Sequence, residues 1–240
     1  MTNQRHLKEA FGFAASDHFE WQTTCPVVSV KERELVSAAF GPLGARVLDL
    51  GCAEGETLKH LGEPAHAVGV DIFWEKLSFA RDHVRHGLYV VASGGELPFA
   101  SGSFDHILVR DVIHHVPEPS VLIEECRRVL VPGGRIDVLE PCRYNPLIFL
   151  HAVTHRAERW ELRSTQRYLR GLLSRRFALT KIEHYQPFPL HRLVYHPEIG
   201  NPRWASAAWI RGMVEGIEKS ARLLMPKVTW AYLHLRAEMR

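Results

Sequence analysis

The chain has 240 residues, of which 46% are hydrophobic and 24% charged, with a formal net charge of +3. That length suits one α/β domain with a modest addition, and no apolar run approaches the ~20 residues needed to span a bilayer. So small a net charge does not by itself point to nucleic acid, and four cysteines without C-x-x-C spacing suggest neither zinc nor a disulfide framework.

The opening residues, MTNQRHLKEAF, lack the apolar stretch of a signal peptide, so the cytoplasm is the expected setting. Residues 1–42 read as an N-terminal helical cap, with an aromatic stretch (Phe11, Phe13, Phe19, Trp21) and a helix over Lys31–Phe40. From Arg46 onward strand and helix signals alternate, as a doubly wound, mostly parallel α/β sheet requires. Strands are expected near 46–50, 66–71, 88–92, 104–109 and 134–140, with helices near 54–62, 74–86 and 118–130. Pro132-Gly133-Gly134 is expected to turn the chain into the fifth strand. A helix should follow over about 156–174, then a strand near 177–186 and a Pro- and His-rich stretch over 187–202. Another helix near 204–224 and a last strand within Val228–Ala237 complete residues 43–240, the main domain, in which 143–225 should supply lid elements over a substrate.

The most informative segment is Val47–Gly55, VLDLGCAEG, with Asp71 ending the next apolar run twenty residues after Gly51. A strand that ends in a glycine turn and enters a helix, followed by a strand that ends in an acid, is the grammar of a nucleoside-binding β-turn-α-β unit. Glycine lets the backbone pass close to a ligand, and the acid can accept both ribose hydroxyls. A dinucleotide site wants G-x-G-x-x-G, but those positions here are Gly51, Ala53 and Glu56. The segment Asp49-Leu-Gly51-Cys52-Ala53-Glu-Gly55 instead resembles the E/D-x-G-x-G-x-G motif of class I S-adenosylmethionine-dependent methyltransferases, with alanine at the central glycine. Glu96–Asp105, ELPFASGSFD, resembles the L-P-F-x-x-x-x-F-D signature of their small-molecule branch, and the likeness runs from about Arg46 to Pro141.

The resemblance implies S-adenosylmethionine as cofactor and a seven-stranded sheet of order 3-2-1-4-5-7-6. It places the backbone of Asp49, Gly51, Cys52, Ala53 and Gly55 along the methionine portion, and Asp71 with Ile72 at the ribose. Ser93 and Gly94 fall beside adenine, where the family usually offers an aspartate, and a serine oxygen is a weaker acceptor there. Arg110, at the end of the fourth strand, occupies a position whose backbone often meets the cofactor, while its head could reach the cofactor carboxylate or solvent.

Val112–Pro117, VIHHVP, resembles the V-L-x-H-V-P segment of many relatives. His114 and His115 are candidate bases, with His115 alternatively closing the turn, since a hydroxyl nucleophile must lose its proton. Glu140 is a third candidate, or a structural carboxylate for Arg110 or Arg143. His151 and His155 stand one helical turn apart, but no third ligand accompanies them, so no metal site is expected. No N/D-P-P-Y follows the fourth strand, which argues against a base of nucleic acid as acceptor. If 156–174 is one helix, Arg156, Arg159, Arg163, Arg167 and Arg170 share one face. That face is either solvated or a contact for an anionic membrane or carrier. The expected activity is methyl transfer to a small molecule, oxygen slightly favoured. A silent nucleoside- or partner-binding subunit and an NAD-dependent oxidoreductase are the alternatives.

Overall fold

A computed structural model describes residues 15–62, 66–154 and 156–239. Phe11 and Phe13 of the expected cap lie outside the described residues. The described N-terminal residues form α1 (Ala15–Thr24) and α2 (Pro26–Phe40). The second helix starts five residues before the expected Lys31, since Pro26 fits the first helical position, where no N–H is needed. There follow β1 (Arg46–Leu50), α3 (Glu56–Leu61), β2 (His66–Asp71), α4 (Trp74–His83), β3 (Gly87–Val91) and β4 (Phe104–Arg110). Next come α5 (Pro119–Val129), β5 (Leu130–Pro141), α6 (Pro146–Thr154), α7 (Gln166–Ser174) and β6 (Phe177–Tyr185). The chain closes with α8 (Leu190–Val194), α9 (Ala208–Leu224) and β7 (Tyr232–Met239).

The strands form one seven-stranded sheet of order β3-β2-β1-β4-β5-β7-β6, the order that the resemblance implies. β1 to β5 run parallel, and β7 lies antiparallel between β5 and β6. Strand order reverses beside β1, which opens a crevice beyond the carboxyl ends of β1 and β4. Alternation along each strand divides the core between the two faces. Leu48, Ile107, Ile136 and Val138 pack on one face with Leu122, Ile123 and Cys126 of α5 and Leu169 and Leu173 of α7. Val47, Leu108 and Leu139 pack on the other with Leu35, Val36, Ala39 and Phe40 of α2. β1, buried on both sides, therefore reads as a continuous apolar run broken only by Asp49.

The end of α2 is held by a buried polar cluster. Asp137 of β5 accepts from His106 at 2.8 Å, His234 at 2.7 Å and Arg236 at 2.8 Å. Arg236 in turn donates to the carbonyls of Ala39 at 3.0 Å and Gly41 at 3.3 Å, where a helix leaves acceptors unmatched.

Two expectations fail. Pro132–Gly134 lies inside β5, where the register against β4 shifts between Phe104 and His106, so the glycines serve a bulge within the strand rather than a turn before it. Residues 156–174 do not make one helix: a 3-10 segment, Arg156–Arg163, stops before α7 begins at Gln166. Thr165 interrupts the apparent period because its hydroxyl accepts from Tyr168 N at 3.1 Å and caps the new helix. The arginine stripe is thereby split between two segments, although Arg159, Arg163, Arg167 and Arg170 are all exposed. Arg163 stacks on Trp160, 4.6 Å from the ring centre. No helix among the described residues is long and apolar enough to cross a membrane.

Candidate active site

The turn after β1 alternates left-handed residues: Gly51, Ala53 and Gly55 have φ of +76°, +46° and +86°. Gly51 N and Cys52 N donate to Val70 O at 2.7 and 3.0 Å, which pins the turn across the end of β2. A Cβ on Gly51 would stand 2.3 Å from Val112 Cγ2, so glycine is required both by its dihedral and by the neighbouring turn. Asp71, ending β2, accepts Ala53 N on one oxygen and Phe73 N on the other, each at 3.0 Å. It thus ties the glycine turn to the start of α4, and Ile72 lies half-buried in that link. Burial pushes the Asp71 carboxyl up against these two amides.

Asp49 is buried, and its Oδ2 has no hydrogen-bond partner among the described residues. Burial raises its pKa to about 7; Arg110 opposes the shift, while Glu56 and Asp71 add to it. An orphaned buried carboxyl beside a glycine cradle fits a ligand that brings a positive charge. S-adenosylmethionine, with its ammonium and sulfonium, is such a ligand. Cys52 is also buried, and burial pushes its thiol well up, so it offers no reactive thiolate.

Beyond β3, Ser93 Oγ accepts Gly95 N at 3.3 Å and Ser93 O accepts Glu96 N at 3.0 Å, which folds 93–96 into a tight turn. Gly94 is closely packed, since a Cβ there would lie 2.9 Å from Leu122 Cδ1. The Leu97–Phe99 segment is fastened by α5. Glu125 accepts Leu97 N at 2.8 Å, and Arg128, paired with Glu125, donates to Leu97 O at 2.9 Å and Phe99 O at 2.7 Å. Sequence reasoning missed both residues, although Glu and Arg three apart on a helix is a readable pair.

At the end of β4 the chain enters Asp111, left-handed with φ of +53°, and then a 3-10 turn, Ile113–His115. Glu140, ending β5 and fully buried, organises that turn. Its Oε1 accepts Val112 N and Ile113 N at 2.8 Å each, and its Oε2 accepts His114 N at 3.3 Å and meets His114 Nδ1 at 2.7 Å. Burial alone would raise its carboxyl, but His114 and the amides outweigh that and hold it below the ordinary value. Its partner is therefore His114 rather than the expected Arg110 or Arg143. His114 is buried, whereas His115 is half-buried with its ring 3.9 Å from that of His114, so the adjacent histidines divide inward and outward.

Arg110 is buried and turns away from solvent: its Nη2 donates to Glu32 Oε2 at 2.6 Å and its Nε lies 3.3 Å from Asp111. The other oxygen of Glu32 accepts Arg192 Nη2 at 2.6 Å, and Arg192 lies over the Tyr232 ring at 5.0 Å. Glu32 of α2 thus joins a sheet arginine to one from α8. None of Glu32, Asp111, Arg192 or Tyr232 was anticipated, because the pairings span 78 and 160 residues and leave no local trace. Cys142 is buried with its thiol raised by burial. His151 lies 3.5 Å from Glu161, and His155 is outside the described residues.

A methyltransferase-domain family model matches residues 48–137, the stretch from the middle of β1 to the middle of β5. That stretch carries a methyltransferase domain, and the sheet around it has the class I S-adenosylmethionine-dependent methyltransferase fold. It is 34% identical over 161 residues to a ubiquinone biosynthesis O-methyltransferase of Xanthomonas axonopodis pv. citri, covering 62% of this chain and 66% of that protein. The chain thus spans just under two thirds of the length of that curated relative. Among solved structures, an S-adenosylmethionine-dependent methyltransferase from Thermotoga maritima superposes with a TM-score of 0.68 at 17% identity, over 98% of this chain and 99% of the other. Phosphoethanolamine N-methyltransferase 2 of Haemonchus contortus, in complex with S-adenosyl-L-methionine, gives 0.69 at 18% identity, over 98% and 59%. At these identities the superpositions establish the fold alone. The methyltransferase fold and its cofactor displace the nicotinamide alternative. Glu56, buried in the first turn of α3, supplies the physical reason: it sets a carboxylate where a pyrophosphate would lie.

Proposed function

We propose that this methyltransferase transfers a methyl group from S-adenosylmethionine to a hydroxyl of a small-molecule acceptor, with His114 as the base. The observation that carries the reading is the 2.7 Å contact between His114 Nδ1 and Glu140 beyond the ends of β4 and β5, beside the crevice where strand order reverses. An Nδ1–H donated to an ionised carboxylate makes Nε2 the basic nitrogen and fixes the ring plane. Glu140 is then a positioning residue, and His115 covers the outer side of the pair. The naming of the Xanthomonas relative as an O-methyltransferase supports oxygen as the acceptor atom.

In this reading Asp49, Gly51, Cys52, Ala53 and Gly55 hold the methionine portion, Asp71 and Ile72 the ribose, and Ser93 and Gly94 the adenine. The backbone of Arg110 adjoins them. Bound there, S-adenosylmethionine supplies an electrophilic methyl, so the protein's task is alignment of the acceptor and removal of its proton. Residues 1–42 act as the cap and 143–225 as the acceptor lid, supported by the reach of Arg192 from α8 to Glu32. Four free buried cysteines accord with a cytoplasmic setting. The exposed arginines at 159, 163, 167 and 170 serve an anionic membrane or carrier as two short clusters rather than one face.

The test supplies labelled S-adenosylmethionine and a small-metabolite extract, then measures label in product. Wild-type protein should label an acceptor. His114→Ala should lower turnover about 10²–10⁴-fold, the range for general-base catalysis, while calorimetric affinity for S-adenosylhomocysteine stays unchanged. Glu140→Gln should move the pH–rate profile. Wild-type turnover in His114→Ala removes the histidine from the chemistry. Tight S-adenosylhomocysteine binding with no labelled product in any extract supports the silent subunit instead.

A further inference from the structure

α9 carries one broad apolar arc, and only part of it is covered. At 100° per residue its five charged residues, Arg211, Glu215, Glu218, Lys219 and Arg222, fall within an arc of about 100°. Ile210 and Val214 turn inward against Trp21, Val28 and Tyr195. The remaining sector presents Trp209, Met213, Ile217, Leu223 and Leu224, and the exposures of Trp209, Leu223 and Leu224 reach 73%, 87% and 81%. Between this sector and Phe188 lies a groove of about 590 Å³ with Gly212, Gly216 and Ser220 in its lining. So large an exposed apolar surface on one helix calls for an occupant.

The surrounding charge indicates which one. Arg203, Lys219, Arg222 and Lys227 are exposed around the helix, and of its acids Glu218 points inward to His191 and Lys31. Glu215 is left as the exposed acid of the helix. Tryptophan and leucine on one face with lysine and arginine beside it is the composition of a helix that lies in a membrane interface. A second copy of the chain would instead bring these basic residues together. The surface also adjoins the acceptor side: Asn145 donates to Pro187 O at 2.8 Å, next to Phe188 of the groove, and to Thr229 O at 2.9 Å, beyond the end of α9, tying the start of α6 to both. Tyr144 and Val228, at that junction, are exposed as well.

We infer that the α9 face docks this methyltransferase on an anionic lipid bilayer, with the apolar sector in the acyl boundary and the basic rim at the headgroups. Its test is co-sedimentation with vesicles of mixed phosphatidylglycerol and phosphatidylcholine at low salt, against phosphatidylcholine alone. It needs neither acceptor nor methyl transfer, so it stands or falls apart from the proposed activity. Wild-type protein should pellet with the anionic vesicles and be released at high salt. Leu223→Asp/Leu224→Asp should weaken the partition tenfold or more, and Lys219→Glu/Arg222→Glu/Lys227→Glu about a hundredfold. Circular dichroism and S-adenosylhomocysteine affinity should be unchanged in both, because the substituted side chains are exposed. Wild-type protein left in the supernatant overturns the inference. So does equal pelleting with phosphatidylcholine alone, or a dimer in sedimentation velocity that the leucine substitutions dissolve without any vesicle binding.

Discussion

Asp49 shows how a single residue links the fold to ligand chemistry. It interrupts the apolar run of β1, is buried, and has one oxygen without a partner among the described residues, so it holds its proton up to about pH 7. A cationic ligand favours the carboxylate, so below that value binding must first displace a proton. Affinity for S-adenosylhomocysteine, whose ammonium remains charged, should therefore tighten as pH rises from 6 to 8. Below about 7 it should fall by up to tenfold per unit. Calorimetry across that range checks it, and Asp49→Asn should flatten the dependence; an equally steep profile in the variant would assign the proton elsewhere. The sequence made Asp49, Gly51 and Asp71 legible because strand, turn and acid are neighbours in the chain. It also offered His114 and Glu140 separately as candidates. Their pairing joins residues 26 apart, one in the turn after β4 and the other on β5, and no spacing rule reports which histidine turns inward.

Among the elements, the sheet was readable and the helical additions less so. Parallel strands buried on both faces announce themselves as apolar runs, whereas 156–174 keeps a helical period through a break. Thr165, an N-cap residue with a free turn ahead of it, was the local sign of that break. The junction of α2 with β5 and β7 makes a prediction about acid stability. Burial holds the His106 imidazole below its ordinary value despite Asp137, and hydrogen bonds from His106, His234 and Arg236 hold Asp137 far below the usual carboxylate range despite its burial. In both cases the folded pKa lies under the unfolded one, so between the two values the unfolded chain binds the extra proton. Stability should thus decline as pH falls from about 6.5, as unfolded His106 protonates, and again below about 4, through Asp137. Urea titrations at pH 7.5, 5.5 and 4 check the direction, and Asp137→Asn should be less stable than wild type at pH 7.5 and lose the lower step. A midpoint independent of pH down to 4 in wild-type protein would contradict the assignment.

Across the whole molecule, α2, α8 and the sheet meet at one carboxylate. Glu32 of α2 has no exposed surface, and its two oxygens take Arg110 from β4 and Arg192 from α8 at 2.6 Å each. Burial would raise its pKa, but Arg192 and Arg110 outweigh that and lower it to about 2. Such a triad need not be worth more than an apolar core, yet removing one member leaves uncompensated buried charge. Here the member whose loss strands two guanidiniums is Glu32. Glu32→Gln should cost about 3–5 kcal/mol, which for a chain of this size is a fall in melting temperature of about 6–20 °C. Arg192→Leu should cost less, since its side chain is one-fifth exposed and Arg110 continues to satisfy Glu32. Glu32→Leu with Arg110→Met and Arg192→Leu should recover much of the loss, because no charge of the triad then remains buried. Thermal melts of the three variants distinguish a latch from a passive contact. A Glu32→Gln protein that melts with wild type would mean that α2 and α8 are held to the sheet by apolar packing.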